Sequence, residues 1–134
     1  MNALQLRLAS VAITGLSLAA IFALGGSDAS AQQQRNQMSF SEDVTPIFRG
    51  NCVSCHQPGG EGYQASGLDL TSYDGLMKGT KFGPMVVPGK PDLSNLMVLI
   101  KGQGQIRMPK GHKPLPNELV DNIWKWIFEG AKNN

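Results

Sequence analysis

The segment Asn51-Cys52-Val53-Ser54-Cys55-His56 holds both cysteines of a 134-residue chain, and one of its two histidines directly follows the second. Gathering every thiol into one short stretch limits what the chain can be. A disulfide across a two-residue gap closes a loop too short to stabilise a fold by much. A thioredoxin-like redox pair shares the Cys-x-x-Cys spacing but belongs at a strand-to-helix junction, and no strand-like alternation leads into Cys52. Zinc finds four nominal ligands in Cys52, Cys55, His56 and His112. Adjacent residues such as Cys55 and His56 rarely close on one tetrahedral ion, however, and no second ligand pair exists. Covalent haem uses every member of the group. Two sulfurs one helical turn apart face the same way and add across the two vinyl groups of one porphyrin, while His56 reaches the iron as proximal ligand.

The first thirty residues place this chemistry outside the cytoplasm. Arg7 precedes an apolar or small run from Leu8 to Leu24, broken only by Ser10, Thr14, Gly15 and Ser17. Ala29-Ser30-Ala31 then supplies the small-x-small exit that signal peptidase accepts. The rival reading is a retained membrane anchor, for which 17 residues is the lower limit. The small-residue exit without a flanking basic cluster favours removal. The expected division is a signal peptide over 1–31, a polar tail over 32–38 and one domain over 39–134, exported to the periplasm or an equivalent compartment. No membrane span is expected after cleavage.

Periodicity in the remaining chain is helical. Ser39-x-x-Glu42 has capping-box spacing, and Phe40, Val44, Ile47 and Phe48 follow on one face of a helix that feeds into the cysteine motif. Pro46 should bend or shorten it. Gln57 to Gly67 reads as loop by composition. Thr71 or Ser72 caps a short helix that Gly79 ends. Leu93, Leu96, Met97 and Ile100 define a third helix from Asp92, as N-cap, to Lys101, after a proline-stiffened loop. Gly102 to Pro116 is irregular, and Pro116 to Glu129 carries Leu119, Val120, Ile123, Trp126 and Ile127 on one face of the last helix. With no credible strand, no internal repeat and no nucleic-acid motif, the reading is an all-α domain of about four helices with glycine-rich loops.

Five blocks, FSEDVTPIFRGNCVSCHQPG, SGLDLTSYDGLMKG, VVPGKPDLSNL, RMP and WIFEGA, occur in this order. Together they resemble the single-haem cytochrome c domains of the planctomycete-type group, a branch of the class I cytochrome c fold. The resemblance spans Phe40 to Ala131. It implies one covalently attached haem c, first and last helices that cross beside it, and a late-loop methionine in the sixth position of the iron. It also implies an electron carrier rather than an enzyme, working between donor and acceptor redox proteins. One departure is Leu115-Pro116, where the family often places Ser, Thr or Asp as the cap of the last helix.

Met108 best fits that distal position. It lies in a polar, irregular loop before Pro109, with ample chain after His56 to cross to the opposite haem face, whereas Met77 and Met97 lie among apolar neighbours in helical stretches. His112, four residues on, is the rival ligand, and Met85 is the third candidate. His/Met ligation fills both axial positions and suits single-electron transfer. A displaceable sixth ligand would instead make a peroxidase-like enzyme or a gas sensor, but no distal acid–base pair is visible.

Charge is unevenly placed. Residues 76–113 carry Lys78, Lys81, Lys90, Lys101, Arg107, Lys110 and Lys113 against Asp92, a balance of +6, while residues 32–75 sum to −3. A basic half around an exposed haem edge would steer an acidic redox partner, and plain solubility explains the lysines equally well. Arg107, beside the candidate ligand, is suited to pair with a haem propionate.

Overall fold

The computed structural model describes residues 36–134, so the expected signal peptide and its cleavage point at Ala31 lie outside the described residues. The chain forms a π-helical turn, Phe40–Val44, followed by five α-helices: α1 Thr45–Asn51, α2 Glu61–Ser66, α3 Tyr73–Lys78, α4 Asn95–Ile100 and α5 Asn117–Phe128. A 3₁₀ turn, Pro91–Leu93, precedes α4. Among the described residues the only β-type pairing is an isolated bridge between Thr80 and Gly83, so the domain is all-α.

The first helical segment changes register instead of bending at Pro46. The Thr45 hydroxyl donates to the Phe40 carbonyl at 2.8 Å, and the Thr45 amide bonds the same oxygen in π register. Pro46, which lacks an N–H, then falls in the first turn of α1, where a helix needs no donor. Ser39 caps the segment, its Oγ accepting from the Glu42 amide at 3.1 Å. The returning arm comes from Asp43, not Glu42: the Ser39 amide donates to Asp43 Oδ2 at 2.7 Å.

Three expectations about local structure need correction. Residues 57–67 are not all loop, because Glu61 to Ser66 forms α2, ended by Gly67 at φ 76°. The third helix does not begin at Asp92. A 3₁₀ turn occupies Pro91–Leu93 and α4 starts after Ser94, whose hydroxyl does not cap it. Ser94 is fully buried, donates to the Lys90 carbonyl at 3.0 Å and accepts from the Val87 amide at 2.9 Å, so its capacity is spent holding the preceding loop. Among the described residues there are five α-helices, where about four were expected. By contrast, α3 is capped by Ser72 and ended by Gly79, and α5 lacks a side-chain cap at Pro116, both as expected.

The core joins the two ends of the domain. Val120, Ile123, Trp126 and Ile127 of α5 are buried together with Phe40, Val44 and Phe48 of the first segment and Met97 of α4. The Phe40 ring lies 5.4 Å from that of Trp126 and meets Tyr73 edge-on at 5.2 Å. Trp126 Nε1 donates to the Lys132 carbonyl at 3.0 Å, and the Tyr73 hydroxyl donates to the Ala131 carbonyl at 2.8 Å. Asn134 then meets the start of the domain, accepting from the Ser41 amide through its carbonyl at 2.9 Å and from the Phe40 amide through Oδ1 at 3.0 Å. Met38 packs against this core, and its amide donates to Glu129 Oε2 at 2.7 Å.

Candidate haem-binding site

The end of α1 shapes the cysteine motif. The Phe48 carbonyl accepts from the amides of Cys52 at 2.8 Å and Val53 at 2.9 Å, which stops the helix. The Cys52 carbonyl then accepts from Cys55 at 3.1 Å and His56 at 2.9 Å, so both thiols and the imidazole hang from one tight turn. The cysteines are free thiols, Cys52 half-buried and Cys55 exposed. Burial, reinforced by nearby Cys55, pushes the Cys52 pKa up to about 11, so this sulfur is a neutral thiol.

His56 is held from two directions. Its carbonyl accepts from the Leu70 amide at 2.8 Å, which ties the motif to the chain beyond α2. Its ring lies against Gly62 of α2, where a Cβ would come within 2.7 Å of Cε1 and 2.9 Å of each nitrogen. Burial lowers the pKa of the imidazole from its usual value, and the neighbouring Leu68 backbone opposes that shift. Nδ1 is buried without a hydrogen-bond partner of good geometry. A neutral ring fixed in place is suited to ligate a metal. Gly60 completes the turn, because a side chain there would collide with the Cys55 carbonyl, which accepts from the Tyr63 amide at 3.0 Å.

The late loop holds one methionine side chain against the core. Residues 101–107 and 110–114 are exposed, while Met108 and Pro109 are half-buried and Met108 packs on the hydrophobic core. The Met108 amide donates to the Leu99 carbonyl at 3.0 Å, anchoring the loop just after α4. His112 is exposed. Met85 is 5% exposed, within the core, and its own carbonyl accepts from the Leu96 amide at 2.9 Å. Arg107 is exposed, its aliphatic stem lying over Gly102.

Sequence reasoning named the thiols and the imidazole but missed the helix that seats the ring. Gly60, Gly62 and Gly67 within eight residues made this stretch read as loop. No local signal set Gly62 apart, because it stands among Gly59, Gly60 and Gly67 and six residues beyond His56.

The residues fit a covalently bound porphyrin: two free thiols and a neutral imidazole with an unpartnered buried nitrogen share one turn, and a half-buried thioether interrupts an exposed loop. A zinc site fits less well, because among the described residues no group of three or more His, Cys, Asp or Glu converges on a point that would hold an ion. A strandless helical domain with this thiol–thiol–imidazole turn has the signature of the c-type cytochromes. The family model described as Planctomycete cytochrome C matches residues 52–112 of the chain. Neither curated proteins nor solved structures gave a match.

Proposed function

We propose that the protein is an exported, monohaem c-type cytochrome that carries single electrons between redox proteins in the periplasm. Cys52 and Cys55 hold haem c through thioethers, His56 is the proximal ligand and Met108 the distal one. The observation that carries this reading is Met108, a half-buried thioether anchored by its own amide in a loop that, Pro109 apart, is left to solvent. Solvent-exposed His112 is a weaker candidate, and Met85 is accounted for as core filler. When bound, haem supplies a ferric/ferrous couple, and sulfur ligation favours the ferrous state.

The chain's own residues hold and orient. The Cys52 carbonyl fixes the turn, Gly62 seats the imidazole, and the Leu99 carbonyl holds the loop at Met108. Arg107, next to Met108, is assigned to a propionate. The basic stretch from Lys78 to Lys113 favours an acidic partner face, with long-range attraction that salt weakens. Phe82 adds an apolar contact point there: it is 79% exposed, and Lys81 Nζ lies 5.1 Å from its ring centroid. Such a surface serves a free carrier or an electron-transfer subunit of a larger dehydrogenase or oxidase equally well.

The competing class is a haem enzyme or sensor with a displaceable sixth ligand. Carbon monoxide separates the two. The ferrous protein is expected to stay spectrally unchanged on rapid mixing with the gas; prompt formation of a carbonyl spectrum would move the assignment to the second class.

A further inference from the structure

Gly62 is the second residue of α2, and nothing in its own backbone calls for glycine. Its φ is not positive, unlike those of Gly59 and Gly67 on either side. Glycine weakens a helix relative to alanine, so its presence here requires a cause in the space around it. That space is filled by the His56 ring, with Cε1, Nδ1 and Nε2 all within 2.9 Å of where a Cβ would stand. We propose that Gly62 is a positioning residue for the axial imidazole, setting the plane and tilt of the His56 ring through direct contact with its face or edge.

Neither backbone can simply step aside. The start of α2 is held by the Tyr63 amide, which donates to the Cys55 carbonyl at 3.0 Å, and by the Ser66 hydroxyl, which donates to the Gly62 carbonyl at 2.7 Å. Its far end is held by the Lys81 amide, which donates to the Ser66 carbonyl at 2.9 Å. The His56 backbone is fixed in turn by the Cys52 carbonyl and the Leu70 amide. A methyl group at position 62 therefore has one soft neighbour, the imidazole, which must turn or tilt about its side-chain bonds. Ligand-plane orientation governs how unpaired spin spreads over a low-spin ferric porphyrin, so the consequence is electronic as well as structural.

This role rests on the haem reading above, and the test separates the two. In the ferrous holoprotein, nuclear Overhauser spectra should show a strong cross-peak between the Gly62 α-protons and the His56 ring; its absence overturns the proposal even if no variant folds. In the ferric state, Gly62→Ala should keep one covalent haem by mass yet reorder the shifted haem-methyl proton resonances and move the midpoint potential. Gly50→Ala, at a helical position with nothing within 4 Å of the new Cβ, should leave both unchanged. A Gly62→Ala spectrum and potential that superpose on the unmutated protein would remove this role alone. A colourless unmutated protein would remove the role together with the reading it depends on.

Discussion

Met108→Ala abolishes the weak far-red absorption band that methionine sulfur gives a ferric haem, lowers the midpoint potential and lets the ferrous form bind carbon monoxide quickly. His112→Ala leaves all three properties as they were. The expectation follows from where the two side chains lie. Met108 is half-buried against the core with its amide bonded to Leu99 at 3.0 Å, while His112 points its chemistry into an exposed stretch. Truncating a thioether to a methyl removes the sulfur and leaves the backbone anchor intact, so the loop should keep its course while one axial position opens. Absorption spectra of the two purified ferric variants decide the matter. A surviving band in Met108→Ala, or its loss in His112→Ala, would reassign the ligand.

Trp126→Ala should be the most damaging substitution in the helical frame. Trp126 is 1% exposed, packs on Phe40 and Tyr73, and donates through Nε1 to the Lys132 carbonyl. Removing it empties the junction between the first and last helical segments, at a cost of about 3–5 kcal/mol. Against a typical total of about 5–15 kcal/mol, that is a large share of what keeps a domain folded. Trp124→Ala provides the comparison. Trp124 is half-buried, packs on the edge of the core and stacks on exposed Phe128 at 5.0 Å, so its loss should cost about 1 kcal/mol. Urea unfolding of the holoproteins followed by circular dichroism reads both. Equal midpoints for the two variants would contradict the placement of the core.

Local signals in the sequence were the most legible ones. Cys52, Cys55 and His56 are consecutive enough that their chemistry is written in the spacing, and the structure puts them on a single turn. The last helix was legible because Val120, Ile123, Trp126 and Ile127 repeat at helical spacing and are all buried. What could not be read depends on distant partners. Helix α2 was hidden because Gly62, inside it, makes room for the His56 ring, and Gly60, just before it, lies against the Cys55 carbonyl. The start of α4 was misplaced because Ser94 is buried by the loop it holds and Asp92 lies outside the α-helix, with its carboxylate 3.5 Å from Trp124 Nε1. Met38 looked like tail because its partner, Glu129, stands at the other end of the chain. The sulfur of Met108 was singled out by elimination among methionines, and the structure adds that this side chain is half-buried against the core.

Intact-mass measurement of the purified mature protein, paired with its pyridine haemochrome spectrum, tests the central claim most directly. The account predicts a polypeptide heavier by one haem, with the spectrum of a porphyrin joined through two thioethers. A mass equal to that of the polypeptide alone, with no visible absorption, would contradict it.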